Sequence, residues 1–553
     1  MTPRSGLLWA RLWACCAGGF GASCSTLLGA DTPVQVELEG GAADVRDGGT
    51  ETSPGAGSPT GRRVVAGNLL LPQPLVDEFA PGFNGRSPVL VTSDGYVPYL
   101  DMTDQMMKVV SLTPGSTPVP IAPFSSAPSA GVTAAPSAGA AAFGQTLILC
   151  PTVDMAGNGP LYTFSAATGA KQVFPATTAL WPVVSADGTR LANYVLNQGA
   201  TQASLVLTDV DGSNALTLIP SFDLTAQCFA GSGAAQFVAG DPQRVLALWC
   251  PPGGTPSTLS LFTVSGSTFS RLDLAPNIWN NPLVDQAGKL VAFVPNGTGG
   301  GPGSAQLLFD LSTGATTTIE TQSSCSCGFS GWGFFAGTGA NETLHYSTTI
   351  GHHYANVNQP QPATAFSGTF PNAFVLLPPS PDGSHTLGLV PNNGAGGDSL
   401  FDVLLSPLVA GKPGITLDST WTGSISSDFD YFTADSSHAM WLEGLNGAGT
   451  FRTIDVSGGS PIDVASNANW IVATSGAKVV AQVNVVENPD TTVTGDMVLA
   501  DLSSPTPVPR TLVSKVGQSV TLTPDRKQLL YTTYVGDHDA GSPYDGLWIM
   551  PAP

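Results

Sequence analysis

Few residues in this 553-residue chain stand where their types and spacing could do chemistry. Asp537, His538, Asp539 and Asp545 bring three carboxylates and an imidazole into one short stretch, a set able to attract a cation. Only 11% of the residues are charged, so the cluster stands out, yet a solvated acidic loop has the same composition and is the expected reading. His352 and His353 follow His345, but adjacent residues on a strand point to opposite faces, so no shared metal is expected there. Asp209-Val210-Asp211-Gly212-Ser213-Asn214 looks like the start of a calcium loop. It lacks the flanking helices and the bidentate Glu twelve residues on, where Pro220 stands instead, and an Asp-Gly hairpin turn accounts for it. Gly328-Phe329-Ser330-Gly331-Trp332 lacks the last Gly of a nucleophile elbow. No catalytic residue, metal site or cofactor is therefore expected.

The elements that must position these groups begin with an address. Arg4 and Arg11 precede a short uncharged run ending at Gly21-Ala22-Ser23-Cys24, the parts of a secretory signal. That exit resembles a bacterial lipobox, apart from Gly21 where Leu is usual. The resemblance implies an acyl anchor on Cys24, although Cys15 and Cys16 stand close by. Residues 25–62 carry scattered Asp and Glu among Gly, Ser, Thr and Pro, the composition of a disordered tether. The longest uncharged stretch, 109–153, is too broken by prolines to form a membrane helix. The chain has 19 basic against 40 acidic residues and a net charge of −21, with no Lys/Arg patch to meet phosphates, which excludes nucleic acid. Export to the periplasm, outer membrane or cell surface is expected, with membrane contact through the lipid alone.

From residue 63 to 553 the chain repeats. Short apolar runs alternate with tight turns, strongest at Asp94-Gly95, Asp187-Gly188, Ala287-Gly288, Asp382-Gly383 and Ser475-Gly476. The glycines are 93, 100, 95 and 93 residues apart, with a weaker turn midway in each interval. The result is ten units of about 46 residues, each read as four strands. No helical period interrupts them, so the expected fold is an all-β propeller, in one large ring or two smaller ones. The run 63–71 stands before the first unit and 547–551 ends the last, so pairing them would close the ring.

Ser185-Ala186-Asp187-Gly188-Thr189-Arg190, Ser380-Pro381-Asp382-Gly383 and Thr523-Pro524-Asp525 resemble the WD40-like (PD40) repeat of the periplasmic TolB propeller, as does the hairpin from Asp209 to Asn214. The resemblance covers about half of the units and implies a fold more than a function. TolB-like chains carry an α/β domain before the propeller, for which residues 25–62 are too short and too polar. On the propeller reading, Cys228 and Cys250 fall on one face of one unit and form a disulfide candidate, as an exported chain permits. Cys325 and Cys327 could form a local bridge or a zinc half-site, with no second half-site in view. Long connections between second and third strands, at 154–160, 296–304, 392–399, 487–496 and 536–546, share one face and vary in chemistry. They are the expected surface for a protein or glycan partner. A binding or scaffolding role is expected, with a structural TolB-like part or a glycan-acting enzyme using funnel carboxylates as alternatives.

Overall fold

The computed structural model describes residues 61–74, 90–124, 138–152, 158–179, 182–185, 187–196, 202–223, 235–239, 241–251, 257–278, 282–285, 287–295, 305–322, 329–337, 341–348, 351–367, 375–377, 379–393, 399–408, 415–421, 430–443, 449–487, 493–533 and 545–553. Their strands form eight hydrogen-bonded sheets. The unit is plain in Ala235–Phe237, Arg244–Trp249, Thr258–Ser265 and Thr268–Pro276, consecutive antiparallel neighbours in one sheet. The same meander recurs in Leu283–Val284, Leu290–Phe293, Ala305–Asp310 and Thr316–Thr321. It recurs again in Phe329–Ala336, Thr343–Thr348, Gly351–Asn356 and Gln359–Ser367, and then in Val375–Leu376, His385–Asn393, Ser399–Pro407 and Ile415–Trp421.

Burial falls from the inside of each sheet outward. Arg244–Trp249 is buried from Val245 to Trp249, whereas Thr268–Pro276 is exposed over its first six residues. The inner strands are covered on both faces, so their sequences read as continuous apolar runs instead of alternating. Leu290–Phe293 makes the reason visible. Val291 and Phe293 pack against Leu246, Leu248, Leu259 and Leu261 of the preceding sheet. Ala292 and Val294, on the other face, pack against Leu344, Tyr346 and Ala355 of the following one. Each such aliphatic side chain contributes about 1.5–3 kcal/mol by leaving water.

Stacking sheet on sheet in this way brings the chain back to its start. Leu530, Leu547 and Ile549 share a core with Leu69, Tyr99 and Val109. Strand Arg62–Ala66 pairs antiparallel with Gly546–Pro551, setting Arg62 opposite Ile549 and Ala66 opposite Gly546. That pairing covers an edge that would otherwise be open to other strands. The run 63–71 divides between two sheets. Its first part closes against the chain's last strand, while Leu69–Leu70 pairs with Tyr96–Asp101 on the inner side of the next sheet.

Two sheets run through more than one repeat because a single long strand serves both. In Arg510–Leu522, Val513 pairs with Met497 on one side and Leu522 with Leu529 on the other, with a register shift between Val516 and Val520. Gly169–Ala179 does the same between Asn158–Ser165 and Arg190–Leu196. A polar tie also crosses the inner ends of three repeats. The buried Asp430 carboxylate accepts from the Ala473 amide at 2.8 Å and from Arg526 Nη2 at 2.8 Å.

Candidate functional site

The two faces of the ring differ in construction. On one, the first-to-second-strand turns repeat a single hydrogen-bond pattern. Ser380 Oγ donates to Asp382 Oδ1 at 2.7 Å, Asp382 Oδ1 accepts from the Ser384 amide at 3.0 Å, and Ser380 Oγ accepts from the His385 amide at 3.0 Å. Thr433, Asp435 and Ser437 build the same turn, as do Ser185, Asp187 and Thr189, and Thr523, Asp525 and Lys527. The Ser/Thr-x-Asp spacing thus lets two short side chains replace backbone partners that a tight turn cannot supply. Burial by itself would raise the pKa of Asp187, Asp382 and Asp435, but hydrogen bonds to their carboxylates hold all three below the usual value. The outer hairpin works alike: the Ser213 hydroxyl and amide bring Asp211 down to about 2, with help from Lys171.

These turns are also tied to one another. The residue after the third strand donates its amide to a carbonyl in the first turn of its own unit: Val210 to Thr189, Leu311 to Lys289, Leu408 to Ser384 and Val456 to Ser437. Both turns of a unit therefore lie on one face, as the repeat pattern requires. Neighbouring units touch here too, since a Cβ on Gly288, whose φ is +65°, would stand 2.6 Å from the Ala239 carbonyl oxygen. Asp285 and Glu342 sit in adjacent turns of this face and are buried. Asp285 Oδ1 is committed to the Lys289 and Leu290 amides at 2.6 and 2.7 Å. Burial, then the charge of Asp285, raises the pKa of Glu342. The polar groups of this face are largely spent on the fold itself.

On the opposite face the second strands of the units end and the third strands begin. Asp537, His538 and Asp539 lie outside the described residues. Asp545 directly precedes the strand Gly546–Pro551, and its carbonyl accepts from the Gly67 amide at 3.2 Å. Cys24, Cys228, Cys325 and Cys327 also lie outside the described residues. Cys250 follows Arg244–Trp249, is buried and is disulfide-bonded. Cys150 is buried, with its thiol 3.6 Å from the Thr152 carbonyl oxygen.

A group of titratable residues lies between sheets where His352 and His353 leave their strand on opposite faces. His353 Nδ1 is 2.8 Å from Glu320 Oε2 of the preceding sheet, and the Tyr346 hydroxyl donates to the same oxygen at 2.6 Å. On the other face His345 Nδ1 and His352 Nε2 are 3.0 Å apart, and His352 Nδ1 is 3.1 Å from Ser406 Oγ of the following sheet. His345 Nε2 reaches Thr343 Oγ1 at 2.8 Å, and its ring stacks between Phe334 and Tyr354 at centroid distances of 5.2 and 5.6 Å. Burial pushes His345 down to about 3. It pushes His352 well down too, with the charges of His345 and His353 acting the same way. Burial, then the hydrogen bond to Glu320, raises Tyr346. The adjacent histidines are thus divided between two joints. One signal of this set was legible in the sequence, a lone Glu320 in the Thr-rich strand Thr316–Thr321. Among the described residues no group of three or more His, Cys, Asp or Glu side chains could hold a metal ion.

Fold and face geometry define the class: an all-β propeller closed by its first strand. Among solved structures the chain is similar to a prolyl endopeptidase (13% identity over 66% of this chain and 54% of that one, TM-score 0.36). It is also similar to the dihydro-heme d1 dehydrogenase NirN in complex with DHE (12% identity, 72% and 77% of the two chains, TM-score 0.39). A third similarity is to the tricorn protease (12% identity, 84% and 52%, TM-score 0.28). The chain spans about half the length of the endopeptidase and of the tricorn protease. No family model and no curated protein matches it.

Proposed function

We propose that this protein is an exported propeller of the bacterial envelope, anchored by an acyl group on Cys24, that binds a protein or glycan through its long-loop face. In this reading residues 25–62 are the tether, ten repeat units make one ring, and the role is binding or scaffolding without catalysis. The observation that carries it is the asymmetry of the faces. One face spends its Asp, Ser and Thr side chains on repeated turns, which supports the other face, where the sequence is most varied, as the surface for a partner. The TolB-like turns support an envelope setting, and the Asp537–Asp545 loop supplies acidic contacts.

Photo-reactive residues at Thr298 and Ser542, in the long loops, and at Ser312 and Lys527, on the turn face, test the reading in intact cells. Discrete adducts from the loop positions alone are expected. Equal labelling from both faces, or labelling from the turn face only, overturns the assignment of the face. Cys24→Ala tests the anchor separately: the variant should leave the membrane fraction or stay unprocessed, and unchanged partitioning removes lipidation at this site.

A further inference from the structure

We propose that the hydrogen-bonded chain Thr343–His345–His352–Ser406 is an acid-sensitive lock between two neighbouring sheets of the ring, closed when both imidazoles are neutral and released by protonation. The geometry satisfies two neutral rings completely. The Thr343 hydroxyl donates to the Ala336 carbonyl at 3.3 Å, which assigns the proton of the 2.8 Å contact to His345 Nε2 and makes Thr343 Oγ1 its acceptor. His352 Nε2–H then donates to His345 Nδ1 at 3.0 Å, and the Ser406 hydroxyl donates to His352 Nδ1 at 3.1 Å. Each ring nitrogen is used once, and the last bond is the one that crosses between sheets.

Protons added to both rings would set N–H against N–H at the contact between the two histidines. One added proton avoids that clash but places a cation where both histidines are 0% exposed, and burying a charge is costly. The groups facing the pair are Phe334 and Tyr354, stacked on His345, with Thr343 and Ser406 at the ends. On the adjoining strands, Glu320, Tyr346 and His353 are engaged with one another at the opposite face. Glu342 belongs to the turn before Thr343–Thr348, and His385 bonds Ser384 at a turn of the next sheet. Asp402 stands in the same strand as Ser406, Ser399–Pro407, four residues before it. Burial holds both imidazoles neutral well below their ordinary range. The native joint therefore binds fewer protons than the opened one, and acid favours opening.

The test uses the full chain with its six histidines labelled in the imidazole ring and followed by NMR, together with amide exchange of Gly351–Asn356 and Ser399–Pro407. His345 and His352 should stay neutral in the closed state from pH 7 to 5. Opening of the joint should rise about 16-fold for each histidine between pH 6.5 and 5, or about 270-fold for two that act independently. His345→Gln combined with His352→Asn should remove this rise, while His353→Gln should keep it. Titration of both histidines near 6.5 without loss of protection, or an unaltered pH response in the double variant, overturns the lock. If the double variant does not fold, the imidazole titration of the unmodified protein decides the matter by itself.

Discussion

Asp430 and Arg526 lie 96 residues apart and meet over Ala473, so a double-mutant cycle on this pair tests whether three repeats act as one polar unit. The Asp430 side chain is 3% exposed and that of Arg526 15%, so both charges are largely out of water. Asp430→Ala removes the acceptor of both the guanidinium and the Ala473 amide. Leaving a buried cation without its partner costs about 3–5 kcal/mol. Arg526→Ala leaves the carboxylate its backbone donor but also takes the guanidinium donor from the Ala473 carbonyl, and each lost charge-assisted bond should cost about 1.5–3 kcal/mol. The double variant strands neither charge, so its cost should fall short of the sum by about 2 kcal/mol. Urea unfolding followed by tryptophan fluorescence gives the three costs, and amide exchange at Ala473 reports the site directly. High salt should leave the coupling nearly intact, because a buried pair is poorly screened. Costs that add within about 0.5 kcal/mol would refute the reasoning, since independent sites behave that way.

Gly288→Ala should destabilise more than Gly383→Ala. Both have positive φ, costing about 1 kcal/mol each, but only the first drives a Cβ to 2.6 Å from the Ala239 carbonyl oxygen, and Gly383 has nothing within 4 Å. Unfolding midpoints of the two variants compare them directly. Ser380→Ala should cost about 1–2 kcal/mol, because it deprives Asp382 of a donor and the His385 amide of an acceptor; equal loss of midpoint in Ser312→Ala would deny the inner turn its greater weight. Asp211 is held at about 2 against an unfolded value of 3.8, so its stabilisation is complete above the unfolded value and disappears as pH falls from there toward 2. Thermal melts of Asp211→Asn should be correspondingly flatter in that window. Non-reducing peptide mapping should recover Cys250 linked to Cys228; another partner would show that the strand register assumed for that repeat is wrong.

What the sequence determined by itself was local. A turn that needs a positive φ and a side-chain acceptor writes itself as Ser/Thr-x-Asp-Gly, so the turns at Gly188 and Gly383 could be read without any structure. Short apolar runs between those turns likewise marked the strands. Tertiary structure alone decided what meets across the gap between sheets. Glu320 finds Tyr346 and His353 from 26 and 33 residues away, and His352 finds Ser406 from 54. It also decided that Leu69–Leu70 leaves the closing run for the next sheet, and that Arg510–Leu522 is shared by two repeats. These outcomes depend on how one twisted sheet seats on its neighbour. A side chain's partner there is set by the register and tilt of both sheets, which no spacing along a single strand encodes.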